Sequence, residues 1–207
     1  MAYFPFFIDI QDKHCLVVGG GEVALRKVRV LLQFEVYITV VATSICKELK
    51  ELEKMMGRLV LQEREFIETD ISQSFFVVAA TDDPVVNEAV SVLCEQSNKL
   101  VNVADSKENS SFLFPSIVKR GEVVVGTSTS GNSPDIAKWV RMSVEDAIPD
   151  CVGELAQSLG QYRIQIKLRI HSEEKRKKAF KELLYMGMKV NGKVDDRMLE
   201  EVINRYQ

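Results

Sequence analysis

A turn of three glycines between an apolar run and a helical pattern constrains this chain more than any other feature. Gly19, Gly20 and Gly21 follow the apolar residues 15–18, and after Glu22 apolar side chains recur at helical spacing. A short apolar run is typical of a strand covered on both faces, and the following repeat predicts an amphipathic helix. The chain therefore reverses direction within the glycines.

The same stretch matches the dinucleotide fingerprint G-x-G-x-x-A. Gly19 would take the tight turn, Gly21 would let a pyrophosphate approach the backbone, and Ala24 would allow close packing of helix on strand. The pyrophosphate would lie at the helix N-terminus, beside Glu22 and Val23. The alternative reading, a flexible glycine turn with no ligand, stays open at this point.

One part of the fingerprint is missing. A carboxylate is expected about 20 residues further on, at the end of the second strand, where it would bind the adenosine ribose. The predicted strand 37–42 is followed instead by Thr43 and Ser44. Hydroxyl or backbone groups must then hold the ribose, and the carboxylate rule does not separate NAD from NADP.

Short apolar runs and helical patterns alternate through residues 1–112, which predicts an α/β Rossmann-type fold with a doubly wound parallel sheet. The predicted strands are residues 15–18, 37–42, 59–61, 75–80 and 100–103, and the predicted helices are residues 22–34, 45–56 and 84–97. Ligands of such sheets bind at the carboxyl ends of the strands. The glycine turn, Thr43, Ser44, Thr81 and Asp105 should therefore frame one crevice, whereas Asp82 and Asp83 are better explained as a helix cap before Pro84.

The pattern changes after Asp105. Residues 112–118 and 122–128 predict a β-hairpin outside the parallel sheet, and Ser133 and Pro134 predict the start of a helix that runs to about Ala147. Every later pattern is helical. The lysine-rich run 175–178 follows two glutamates and is predicted to be a solvated helix face.

Composition excludes several classes of protein. With 46% hydrophobic and 28% charged residues, 207 residues can bury one α/β core and a smaller appendage. A net charge of -3 argues against nucleic-acid binding, and the N-terminal apolar stretch lacks the features of a signal peptide or membrane span, which indicates a cytoplasmic protein. Four scattered cysteines and two histidines predict reduced, packed thiols and no bound metal.

Several motifs, in this order and spacing, resemble the precorrin-2 dehydrogenase and sirohydrochlorin ferrochelatase family, which includes the amino-terminal half of the siroheme synthases. The resemblance covers the whole chain. It differs at Ser130, where the family more often has glycine, and at Asp135, where it commonly has an apolar residue. The motifs are Phe4-Pro5-Phe6-Phe7, residues 17–24 with Arg26-Lys27, residues 79–83 with Asn87, Val101-Asn102-Val103-Ala104-Asp105, Phe114-Pro115-Ser116-Ile117 and residues 130–134.

The resemblance implies NAD-dependent oxidation of precorrin-2 to sirohydrochlorin. It implies that Thr43 and Ser44 help to bind NAD, and it matches Asp105 to the family's active-site aspartate. It also implies a homodimer formed through a dimerisation region, residues 113–148, followed by a helical domain, residues 149–207. Whether ferrous iron is also a substrate stays open, and methylation of uroporphyrinogen is not expected.

The residues themselves support two of these expectations. Asp105 closely follows the fifth strand, whereas neither histidine is placed at the strand-end crevice, so Asp105 is the candidate base. A tetrapyrrole with many carboxylates needs cations, for which Lys119, Arg120, Lys138 and Arg141 are the candidates. A non-catalytic NAD(H)-sensing module is the competing hypothesis.

Overall fold

A computed structural model describes residues 3–207, so the first two residues of the expected Rossmann segment lie outside the described part. The chain forms two compact units, Met1–Phe114 and Pro115–Gln207.

The first unit is built on a five-stranded parallel sheet with the strand order β3-β2-β1-β4-β5. The order confirms the predicted Rossmann-type topology, because the chain moves outwards from β1 in one direction and then in the other. The strands are β1 (His14–Val18), β2 (Tyr37–Ala42), β3 (Leu59–Glu63), β4 (Phe76–Ala79) and β5 (Leu100–Val103), and the helices are α1 (Glu22–Leu32), α2 (Lys47–Met55) and α3 (Pro84–Gln96), with a short 3₁₀ helix at Glu68–Ile71.

Strand β1 has apolar packing on both faces of the sheet. Cys15 and Val17 belong to the core beneath α1 and α2, whereas Leu16 and Val18 belong to the core beneath α3. Successive residues of a strand point to opposite faces, so an apolar run without polar interruptions is what a doubly covered strand requires.

The predicted hairpin begins later than its sequence pattern indicates. Its strands are β6 (Ser116–Arg120) and β7 (Val123–Thr127), which pair antiparallel, whereas residues 112–115 form no strand. The reason is that Phe112 and Phe114 pack against the first unit's core, where the Phe112 ring meets Phe76 edge to face at 6.1 Å. Aromatic residues raise strand propensity, but here their burial decides the conformation.

The second unit continues with four helices, α4 (Pro134–Ala147), α5 (Val152–Arg169), α6 (Glu173–Lys189) and α7 (Asp196–Tyr206). Helices α5 to α7 enclose a core that includes Leu155, Ile166, Leu183 and Leu199. Helix α4 begins as predicted, with the Ser133 hydroxyl accepting a bond from the Ile136 N–H, but none of its residues is buried.

All four cysteines are free thiols, and three of them are buried. No helix within residues 3–207 combines the length and the hydropathy that crossing a membrane requires.

A matched pair of glycines on α5 tests the packing of the second unit. A Cβ on Gly153 would lie 2.6 Å from the Arg120 carbonyl oxygen in the hairpin turn, whereas a Cβ on Gly160 would meet nothing within 4 Å. We expect Gly153→Ala to destabilise the unit by about 1–3 kcal/mol through overpacking. Gly160→Ala should stabilise it by up to about 1 kcal/mol through helix propensity. Thermal melts followed by circular dichroism measure both, and a Gly153→Ala midpoint at or above that of the wild type would contradict this packing.

Candidate functional site

Gly19 connects the end of β1 to the two strands on either side of it. Its φ is +120°, and its N–H donates to the Val41 carbonyl at 2.9 Å. A Cβ at this position would lie 2.2 Å from the Ala80 carbonyl oxygen, which follows β4. Only glycine satisfies both the positive φ and the lack of space, so its predicted role in the tight turn fits the structure.

Gly20 is a variable position of the dinucleotide fingerprint, yet the lack of space around it also requires glycine. A Cβ on it would lie 2.2 Å from the Ser44 carbonyl oxygen, and its own carbonyl accepts from the Cys46 N–H at 2.9 Å. The glycine turn thereby lies directly against the loop that carries Thr43 and Ser44. Both of these side chains are exposed.

Gly21 differs from its two neighbours because its surroundings are open. It is the N-cap residue of α1, it is exposed, and a Cβ added to it would meet nothing within 4 Å. Helix α1 begins with Glu22 and Val23, and no side chain of residues 3–207 caps its first turn. Backbone N–H groups at a helix start with open space beside them suit the pyrophosphate of a dinucleotide.

Thr81 is held by Asn87, a buried residue of α3 that is not part of the dinucleotide fingerprint. The Asn87 amide accepts from the Thr81 N–H at 3.2 Å, donates to the Thr81 carbonyl at 3.0 Å, and lies 2.8 Å from the Thr81 hydroxyl. The predicted cap is also present, since the Asp83 carboxylate accepts from the Val85 and Val86 N–H groups. Thr81 therefore belongs to a fixed loop beside Gly19.

Asp105 lies at the exposed tip of a loop that folds back along the edge strand β5. The Ser110 and Ser111 hydroxyls accept from the Val103 and Val101 N–H groups at 2.9 and 2.8 Å. Asp105 itself has a φ of +58°, a left-handed conformation that aspartate tolerates better than most residues. The loop thus satisfies the free edge of β5 and presents a carboxylate near its carboxyl end.

Lys27 is a polar exception on the buried face of α1. It follows Ala24 by three residues and precedes Leu31 by four, and both of those are buried. Its ammonium donates to the Asn102 side-chain oxygen at 2.8 Å and lies 4.4 Å from the centre of the Phe114 ring. The helical spacing is the signal that could have placed it inside the fold.

The four candidate substrate cations all lie in the second unit, and two of them already form ion pairs there. Arg120 pairs with Asp150 at 2.8 Å and with Glu145 at 3.9 Å, and Arg141 also pairs with Glu145. Lys119 donates to the Gly121 carbonyl at 2.9 Å, and Lys138 is exposed on α4. The two arginines are thus brought together by a shared carboxylate.

Comparison with known proteins agrees with this geometry. A family model described as "Putative NAD(P)-binding" matches residues 6–116. The chain is 38% identical over 177 residues to the siroheme synthase of Ruthia magnifica subsp. Calyptogena magnifica, covering 86% of this chain and 37% of that protein. It is 42% identical over 170 residues to the siroheme synthase of Nitrosococcus oceani, covering 82% of this chain and 36% of that protein. The chain spans about two fifths of the length of these relatives.

The fold also matches a solved structure of SirC, a precorrin-2 dehydrogenase. The TM-score is 0.70 and the sequences are 26% identical, and the match covers 99% of this chain and 98% of that one. The resemblance drawn from the sequence motifs is therefore confirmed, as is the expectation of a nicotinamide dinucleotide cofactor. The chain belongs to the family of NAD(P)-binding proteins.

Proposed function

We propose that this chain is an NAD-dependent precorrin-2 dehydrogenase, which oxidises precorrin-2 to sirohydrochlorin in siroheme biosynthesis. The similarity to siroheme synthases and to the structure of a precorrin-2 dehydrogenase supports the substrate class. The observation that carries the proposal is a helix start open to a pyrophosphate together with a carboxylate at the carboxyl end of β5 in the same sheet. An oxidation by hydride transfer needs both a cofactor site and a proton acceptor.

Each residue of the crevice has a role suited to its position. The backbone at Gly19, Gly21, Glu22 and Val23 would hold the pyrophosphate. Thr43 and Ser44, next to Gly20, offer hydroxyls to the adenosine ribose and no positive charge to a 2′-phosphate, which favours NAD over NADP. When bound, NAD accepts the hydride.

Asp105 is the proposed proton acceptor. Loss of a hydride from the macrocycle leaves a proton to be removed, and an exposed carboxylate can take it up. The histidines are poorer candidates. His14 begins β1, at the opposite end of the strand from the glycine turn, and His171 lies between α5 and α6 in the second unit.

The carboxylates of the substrate need cations, and the proposed set is Lys119, Arg120, Lys138 and Arg141. Glu145 holds the two arginines on neighbouring elements, β6 and α4. Glu145 is partly exposed, so water weakens its attraction for the two arginines, and each arginine can exchange Glu145 for a substrate carboxylate.

We also propose that residues 113–148 form a homodimer interface. Helix α4 has no buried residue, and Ile136, Trp139 and Met142 are 54%, 68% and 48% exposed. These three residues recur every three positions, and an exposed tryptophan beside other apolar side chains marks an interaction surface. A two-stranded hairpin is marginal by itself, which gives the second copy a physical reason to bind.

Ferrous iron insertion is a separate proposal that the same carboxylate would serve, because iron can enter the macrocycle only when pyrrole N–H protons leave. The test is to add ferrous iron after the dehydrogenation is complete. A siroheme spectrum that forms faster with enzyme than without it supports insertion, and equal rates exclude it.

The function itself is tested by mixing purified protein with precorrin-2 and NAD. We expect NADH and the sirohydrochlorin absorption spectrum to appear together in equal amounts. Protein that binds NAD but forms neither product would instead support the NAD(H)-sensing module.

Gly21 tests the pyrophosphate site. Because a Cβ on Gly21 meets no protein atom, Gly21→Ala should fold, but the methyl group would occupy the approach of the pyrophosphate. We expect NAD affinity to fall roughly 10-fold or more, a loss of at least about 1.4 kcal/mol. Gly57→Ala is the control, since a Cβ there is equally unhindered and lies before β3. Calorimetric titration that gives both variants wild-type affinity would reject the site.

Asp105 is tested with asparagine, which also tolerates the left-handed backbone of this position. We expect Asp105→Asn to lower kcat on the order of 10²-fold, the usual contribution of a general base, and to leave the NAD dissociation constant unchanged. Glu108→Gln removes a charge from the same loop and should keep full activity. An Asp105→Asn protein with the wild-type kcat would remove the assignment.

The interface is tested by placing a charge on α4. Trp139→Glu should convert a dimer into a monomer in sedimentation velocity at micromolar concentration, because a buried unpaired carboxylate is strongly unfavourable at an interface. Ile164→Glu on α5 is the matched control, since Ile164 is also 68% exposed but lies outside residues 113–148. A wild-type protein that sediments as a monomer contradicts the proposal directly.

A further inference from the structure

Lys27 is a partly buried cation that forms no ion pair with a carboxylate among the described residues. None of the ion pairs within residues 3–207 includes it, and its single hydrogen-bond acceptor is the neutral amide of Asn102. The Phe114 ring adds a cation–π contact at 4.4 Å. Burial disfavours the charged form of a lysine, so a lysine that lies among buried apolar residues is uncommon and needs nearby groups that stabilise its charge.

The contacts of Lys27 lead to the loop that carries Asp105. Asn102 lies in β5 one residue before the strand ends, and its amide also donates to the Phe112 carbonyl at 3.1 Å. Asn102 therefore links the Lys27 ammonium to the strand from which loop 104–112 begins and to Phe112, at which that loop ends. The Asp105 carboxylate also favours the charged form of Lys27, since it raises the pKa of Lys27 against the effect of burial.

We propose that Lys27 is the positioning residue of this site. Its ammonium, bound to Asn102, fixes the loop and supplies a positive charge that orients the Asp105 carboxylate towards the crevice. The inference rests on the proposed function, since it assigns Lys27 a role through Asp105 and gives it no contact with substrate or cofactor.

The charge of Lys27 can be switched in an accessible range of pH. The pKa of Lys27 is lowered from 10.5 to about 8, mainly by burial and also by the neighbouring Arg26, while Asp105 and Cys15 act in the opposite direction. Burial also raises the pKa of Cys15 well above its ordinary value, so the thiol stays neutral while Lys27 titrates. Lys27 is therefore charged below about pH 8 and loses its charge as the pH rises through that value.

The test compares pH profiles of kcat for precorrin-2 oxidation between pH 6 and 10. We expect kcat of the wild-type protein to fall as the pH rises through about 8. Lys27→Arg, which stays charged, should lack that decrease, and Lys27→Met should be roughly 10-fold or more slower at pH 7 with no decrease near pH 8. NAD affinity should be the same in all three proteins.

Lys99→Met is the matched control. Lys99 is also partly buried and donates to two carbonyl groups, those of Ser72 and Ser74, but it precedes β5 at the opposite end of the strand from Asp105. Its variant should keep the wild-type profile. A decrease near pH 8 that persists in Lys27→Arg, or a wild-type kcat in Lys27→Met, would overturn the proposal.

Competitive labelling of lysine amines in the wild-type protein, read by mass spectrometry, gives a result that does not depend on variants or on turnover. Lys27 should label with a midpoint near pH 8 that coincides with the kinetic one. A midpoint near the ordinary value of about 10.4 would overturn the proposal even if the variants fail to fold. Wild-type protein that does not oxidise precorrin-2 would refute the proposed function instead, and the labelling midpoint would still decide whether Lys27 loses its charge near pH 8.

Discussion

The close approach of the glycine turn to the loops after β2 and β4 is the contact on which the candidate site depends. Side chains at Gly19 and Gly20 would meet backbone atoms of Ala80 and Ser44 at 2.2 Å. Because these positions lack a Cβ, three strand ends can converge and α1 can start immediately behind them. The third glycine is free of this packing, and that freedom leaves the helix start open for a ligand.

The second constraint is the edge of the sheet. Strand β5 is the last strand of the sheet among the described residues, so the backbone N–H groups on its outer side need other partners. Ser110 and Ser111 supply them, and this draws loop 104–112 back along the strand with Asp105 at its tip. The same loop conformation thus completes the hydrogen bonds of an edge strand and places a carboxylate near the carboxyl end of that strand.

The two units bury their apolar surface to different extents. In the first, the cores on both faces of the sheet are closed by the helices of the same chain. In the second, α5 to α7 close a core of their own, while α4 keeps its apolar residues exposed. The exposed apolar side chains of α4 are therefore the surface on which the proposed homodimer interface rests.

The sequence by itself determined the features that depend on neighbours along the chain. Apolar runs and helical spacing located the parallel strands and their helices, and the caps at Asp83 and Ser133 followed from residue type and position. Asp105 could be assigned to a strand end for the same reason. The tertiary structure alone decided the contacts between residues far apart in sequence: the steric need for Gly20, the amide of Asn87 on Thr81, the shared Glu145 of Arg120 and Arg141, and the burial of Phe112 that delays the hairpin. Lys27 shows the difference most clearly, because its spacing from Ala24 and Leu31 can be seen in the sequence, whereas only the tertiary structure shows that Asn102 and the Phe114 ring lie around its charge.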